Sequence, residues 1–120
     1  MPGVHIICVF KDEAFAKSGF AALKQTSYLV TSAETEEEVE RDFSQESFQV
    51  VVIGPGLDSS AKQRISTKAW ELGCAVVVVC SDKDDYKINA DEHVDLKKSN
   101  LKLVPAVLKA VTAKFYAVAV

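Results

Sequence analysis

The sequence predicts an α/β protein with a doubly wound parallel sheet, and three observations carry that expectation. Strand-like and helix-like patterns alternate from one end of the chain to the other. The runs VVVI (Val50 to Ile53) and AVVVVC (Ala75 to Cys80) show no polar alternation. Continuous β-branched runs imply burial on both faces, as at the centre of a parallel sheet sandwiched between helices. The links between the patterns are short, which favours right-handed β-α-β crossovers. Burying each of these valines contributes roughly 1.5–3 kcal/mol, so the two runs belong at the sheet centre.

The elements follow in order. HIICVF (His5 to Phe10) reads as the first strand, and Asp12 to Thr26 as a helix with Asp12 as its N-cap and Phe15, Phe20 and Leu23 at helical spacing. Tyr28 to Ala33 is a second strand rich in β-branched residues. Thr35 with Glu38 three residues later is a capping-box pattern opening the next helix, where Val39 and Phe43 share a face. The glutamates of its first turn suit the positive end of the helix dipole. Phe48 to Gly54 is the third strand and Ser59 to Gly73 the third helix, with Ala61, Ile65, Ala69 and Leu72 as its inward stripe and Gly73 as its stop. The fourth strand is Ala75 to Cys80, and Glu92 to Lys97 is a weaker fifth. From Asn100 a last helix places Leu101, Val104, Leu108 and Val111 on one face, with Pro105 tolerable only near its start.

A chain of 120 residues with 48% hydrophobic and 26% charged residues has the profile of one ordinary globular domain. We assign residues 1–114 to that domain and read FYAVAV (Phe115 to Val120) as an apolar C-terminal extension. The formal charge of −3 carries no basic excess, which argues against a nucleic-acid partner. Charge is nevertheless uneven: Glu34 to Glu46 is acidic, whereas Leu96 to Lys114 holds only lysines. The most economical reading is two solvated helix faces. No leader pattern stands at the start, and the apolar runs are too short to span a bilayer. Cys8, Cys74 and Cys80 lie in or beside strand-like runs, without metal-ligand or disulfide-like spacing, and read as reduced thiols of a cytoplasmic protein. No metal or cofactor is expected.

On these elements, the tail LKKSNLKLVPAVLKAV (Leu96 to Val111) and the block FQVVVIG (Phe48 to Gly54), the chain resembles the receiver domains of two-component response regulators. That resemblance implies a flavodoxin-like five-stranded sheet of order 2-1-3-4-5. It also implies a site at the strand ends, and there the family's chemistry is missing. The phosphoacceptor position falls on Gly54, the metal-binding acidic pair on Phe10 and Lys11, and the switch position on Cys80, with Ser81 beside it. Only the signature lysine is retained, as Lys97. Phosphoryl transfer to an aspartate needs a carboxylate nucleophile and a divalent ion held by carboxylates, and both would be gone together. The stretch Ser81 to Glu92 is too short and polar for the family's fourth helix, which is expected to be shortened or absent.

Other residues invite sharper readings. Asp58 or Ser59 caps a plain turn in GPGLDSSAK, in preference to an anion cradle served by Lys11 and Lys97. Cys80 reads as a buried strand thiol in preference to a reactive one. His5 and His93 read as structural. Trp70 is either an interface anchor or a cover for the place left by the fourth helix. Tyr86, Phe115 and Tyr116 join it as candidate interface residues.

The function expected is that of a non-enzymatic pseudo-receiver: a protein–protein interaction module of bacterial two-component signalling and phosphorelay. Its partner would be a signalling protein or a second copy of itself. The face left bare by the reduced helix would be filled by the FYAVAV tail folding back, by Trp70 leaning across or by a second copy, and the homodimer, with the tail and last helix taking part, is favoured. The alternative is a flavodoxin-like module binding a small anion or nucleotide near Gly54, Gly56 and Lys97.

Overall fold

The computed structural model describes residues 4–116; the side chain of Tyr116 and the rest of the apolar extension, residues 117–120, lie outside it. Five strands form one sheet: β1 (His5–Val9), β2 (Leu29–Ala33), β3 (Val50–Ile53), β4 (Ala75–Cys80) and β5 (Glu92–Asp95). Their order is β2-β1-β3-β4-β5, and every neighbouring pair is parallel. Both valine-rich runs lie inside the sheet, side by side, with Val51 opposite Val76 and Ile53 opposite Val78. All of their residues are buried, as unbroken apolar strands require.

Alternate residues of each strand feed two cores. On one face Ile6, Cys8, Val52 and Val77 pack against Phe15 and Leu23 of the first helix and Leu103 and Val107 of the last. On the other, Ile7, Val9, Val51 and Val76 pack against Val39 of the second helix (Glu36–Gln45) and Ile65 and Ala69 of the third (Ser59–Glu71). The caps expected from sequence are present. The side chains of Asp12, Thr35 and Asp58 accept from the backbone N–H of Phe15, Glu38 and Ala61 at 2.8, 3.1 and 2.8 Å. Gly73, with φ 78°, ends the third helix in the left-handed region.

Three details differ from the sequence reading. The first helix, residues 13–24, is π-helical from Ala16 to Phe20. Leu72 faces solvent, whereas Lys62 and Ser66 of the same helix are buried. The last helix (Ser99–Val111) buries Leu103, Ala106, Val107, Ala110 and Val111, so the stripe of Leu101, Val104 and Leu108 belongs mostly to its outer side. Pro105 sits in the middle of that helix, on the exposed side, where the carbonyl deprived of its N–H partner can turn to water.

Between β4 and β5 the fourth helix is reduced to a 3-10 segment, Lys83–Lys87. The strand face beneath it is nevertheless covered. Ile88 is buried in the second core, and Ala90 and Trp70 pack against the same cluster. The Ser66 hydroxyl donates to the Asn89 carbonyl, and Trp70 Nε1 donates to that carbonyl at 3.3 Å. Asp91 Oδ2 accepts from Val76 N–H at 2.7 Å. Trp70 thus serves as a cover, with Lys114 Nζ 3.7 Å from its ring centroid. Of the three covers expected, the FYAVAV tail, Trp70 and a second copy, Trp70 is seen in place, and Val76, Val78 and Cys80 are buried within one chain; residues 117–120 of the tail lie outside the described residues.

Candidate functional site

In a parallel α/β sheet the carboxyl ends of the strands converge on the place where ligands bind. Here that edge is built from Phe10 and Lys11 after β1, Gly54 to Gly56 after β3, Cys80 and Ser81 at the end of β4, and Lys97 beyond β5.

The centre of the edge is filled by aromatic rings. Phe10 points into the first core, 9% exposed, with its ring centroid 5.2 Å from that of Phe15 and 5.0 Å from that of Phe20. Phe20 follows Phe15 by five positions, and the π-helical turn over Ala16–Phe20 carries both rings to the same side, against Phe10. Gly54 lies directly beneath. A Cβ there would stand 2.9 Å from Phe10 Cβ, 3.1 Å from Phe15 Cε2 and 3.3 Å from the Val9 carbonyl oxygen. The space a carboxylate would need is occupied by hydrocarbon.

Two backbone hydrogen bonds tie the loop that follows to the end of β1. Gly54 N–H donates to the Val9 carbonyl at 2.7 Å, and Lys11 N–H to the Pro55 carbonyl at 2.8 Å. Gly56 takes φ 105° and abuts the Lys11 carbonyl, a close approach only glycine permits. Beside it lies a cleft of about 380 Å³, open between the second and third helices. Its walls carry the carboxylates of Glu34, Glu36, Glu37 and Asp58 against the cations Lys11 and Arg64. Arg64 is already engaged: Nε donates to Glu36 Oε2 and Nη2 to Glu36 Oε1, each at 2.8 Å. That forked hydrogen bond holds the Glu36 carboxyl below its ordinary range. The cleft is dominated by negative charge and disfavours an anion.

The remaining sequence-derived positions do not converge on it. Cys80 is buried, and its thiol is pushed up to about 12 by burial, with the nearby Asp85 charge adding to the shift. A thiol held protonated is no nucleophile. Lys97 is exposed in a 3-10 turn, and its N–H donates to Asp95 Oδ1 at 2.9 Å; its neighbour Leu96 packs against the core containing Phe10. Tyr86 is 51% and Phe115 43% exposed. His5 and His93 are held structurally, by Thr31 Oγ1 at 2.7 Å and the Ile88 carbonyl at 2.8 Å.

One group at this edge escapes a sequence reading. Lys62 Nζ donates to Asp85 Oδ1 at 2.8 Å, with side chains only 4% and 1% exposed. The other carboxylate oxygen accepts from Ser81 N–H at 2.8 Å and from its hydroxyl at 3.0 Å. Burial works against the Asp85 charge, but these hydrogen bonds from Lys62 and Ser81 outweigh it and hold the carboxyl below its ordinary range. The pair pins the 3-10 segment to the third helix. The only signal for it in the sequence is a lysine next to the inward stripe of that helix.

No family model matches the sequence, and no curated protein is significantly similar to it. Solved structures are similar in fold. The signal receiver domain of an HD domain-containing protein from Pseudomonas fluorescens Pf-5 superposes with a TM-score of 0.77 at 13% identity, covering 94% of this chain and 90% of that one. The signal receiver domain of a signal transduction histidine kinase from Syntrophus aciditrophicus gives 0.74 at 13% identity, covering 98% and 97%. A CheY-like receiver domain protein from Methanospirillum hungatei JF-1 gives 0.70 at 15% identity, covering 92% and 95%. With the strand order and parallel pairing above, these likenesses establish that the chain has the fold of response-regulator receiver domains.

Proposed function

We propose that this chain is a pseudo-receiver, which takes up no phosphoryl group and works by protein–protein contact in bacterial two-component signalling, in the cytoplasm. The observation that supports this most strongly is the aromatic filling beside Gly54: Phe10 and Phe15 stand where a phosphoacceptor and its metal ion would need room. Two of the similar folds belong to proteins named for a histidine kinase and an HD domain, which is the setting the reading invokes. Residues 1–114 form the receiver-like unit and 115–120 its extension. No reaction is assigned to it in this reading. The homodimer loses its original motive, because the reduced fourth helix leaves no bare strand face. The anion-binding alternative is opposed by the acidic cleft and by the Gly54 N–H already bonded to Val9.

The test is intact mass after incubation with acetyl phosphate and magnesium. The expected result is no added phosphoryl group, for the protein and for Gly54→Asp alike, since the latter still lacks metal carboxylates at Phe10 and Lys11. Stoichiometric phosphorylation of the unaltered protein overturns the reading.

A further inference from the structure

The two edges of the sheet are guarded differently. β5 carries Glu92, His93 and Asp95, with Lys109 Nζ 3.8 Å from Glu92. Charges of this kind keep an edge strand from pairing with another chain. β2 reads LVTSA, without charge, proline or glycine, and its Leu29 is 63% exposed. The outward hydrogen-bonding row of β2 follows from its inward one. Leu29 N–H donates to the Val4 carbonyl at 3.2 Å, and the Ala33 carbonyl accepts from Phe10 N–H at 3.0 Å. Leu29, Thr31 and Ala33 thus turn their backbone groups to β1. The N–H and C=O groups of Val30 and Ser32 point away from the sheet, and among the described residues no loop or side chain bonds to them.

That row is self-complementary. A second copy laid antiparallel, with Thr31 on the two-fold axis, sets Val30 opposite Ser32 of the other chain on either side of the axis. Each such pair exchanges both of its backbone hydrogen bonds. Thr31 then meets Thr31, a favourable cross-strand pair, and the exposed Leu29 meets Ala33. No like charges face each other along the strand. The same axis brings the exposed Lys24, before β2, towards the exposed Glu34 and Glu37 that follow β2 in the other chain. None of the three is in an ion pair among the described residues. A foreign strand would satisfy the backbone as well, but only a second copy matches the side chains and the charged ends.

We propose that the β2 edge pairs antiparallel with the β2 edge of a second copy of this chain, joining two five-stranded sheets into one. The proposal goes beyond the pseudo-receiver reading and does not depend on the chemistry of the strand ends.

Sedimentation equilibrium of the full chain at high micromolar concentration should show a monomer–dimer equilibrium. Ser32→Pro removes an outward N–H and leaves the ladder to β1 intact, since an edge strand tolerates proline where the N–H faces solvent. It should weaken the dimer by about tenfold or more, because the two-fold axis doubles the loss. Unchanged circular dichroism confirms intact folding. Position is read independently with introduced cysteines, as the native thiols are buried. Under air with catalytic copper, Thr31→Cys should form a disulfide between two chains, and Leu29→Cys, which lies off the axis, should not. Should Ser32→Pro unfold the chain, this pair of cysteine variants decides alone. A monomer at high concentration, a dimer indifferent to Ser32→Pro, or cross-linking of Leu29→Cys as fast as Thr31→Cys overturns the proposal. So does a dimer that Leu101→Ser with Leu108→Ser removes, which would put the contact on the last helix. Phosphoryl uptake would remove the pseudo-receiver reading and leave the dimer untouched. A monomer without phosphoryl uptake would remove the dimer alone.

Discussion

Gly54 and Gly73 are both glycines at strand or helix ends, but different physics keeps them. Gly73 needs its positive φ and has nothing within 4 Å of the missing Cβ, so Gly73→Ala should cost about 1–2 kcal/mol of backbone strain alone. Gly54 has no such φ; its constraint is Phe10 and Phe15. Gly54→Ala should cost about 1–3 kcal/mol by overpacking. Gly54→Asp should cost more than about 3 kcal/mol, because a charge is then pressed against two rings. Urea denaturation ranks the three, and an Asp variant no weaker than the Gly73 variant would show that the aromatic filling yields easily. At the same scale, Cys8, Cys74 and Cys80 are all buried, and burial raises each thiol. A thiol reagent should leave all three unmodified in native buffer at pH 8 and label them in denaturant.

The segment between β4 and β5 shows how one element can be exchanged for a few contacts. A helix is replaced by a 3-10 turn, one buried isoleucine and the Lys62–Asp85 pair. Asp85→Asn leaves Lys62 buried without its counter-charge and should cost about 3–5 kcal/mol at pH 7. The replacement Lys62→Met with Asp85→Leu should cost far less, since both charges then go together. The pH dependence has a definite sign. The folded carboxyl is the stronger acid, so its stabilisation is complete above the unfolded value of about 3.9 and is lost as pH falls through the folded one. The gap between protein and Asn variant in urea midpoint should therefore close on acidification below about pH 4. A gap that persists to pH 2 would mean the pair contributes by shape and not by charge.

Across the whole molecule, what was legible in sequence was what periodicity encodes. Strands buried on both faces announce themselves as valine runs, whereas their order, β2-β1-β3-β4-β5, was legible only through the resemblance to receiver domains. The caps at Asp12, Thr35 and Asp58 were legible because they are local. The last helix was misread because it carries two apolar stripes, and spacing cannot say which one meets the sheet. The aromatic filling was illegible: it depends on a π-helical turn that rotates Phe20 onto Phe10. The Lys62–Asp85 pair joins residues far apart in the chain, and a lysine on a helix is ordinarily solvated. The single tryptophan offers a view of cooperativity at this scale, since its indole bonds to Asn89 in the segment replacing the helix. If that segment opens with the rest, fluorescence and far-ultraviolet dichroism should give coincident urea transitions. An earlier fluorescence transition would reveal a separate local opening.

The filled space beside Gly54 also bears on descent. A lineage that lost its phosphoacceptor but kept an empty pocket could regain it by a single codon change. Here the carboxylate has no room until Phe10 or Phe15 is trimmed, and such a truncation costs about 3–5 kcal/mol. That is a large share of the roughly 5–15 kcal/mol that holds a domain folded. Under the pseudo-receiver reading proposed above, each intermediate on the way back would be both inactive and close to unfolding, so such a loss would behave as a ratchet.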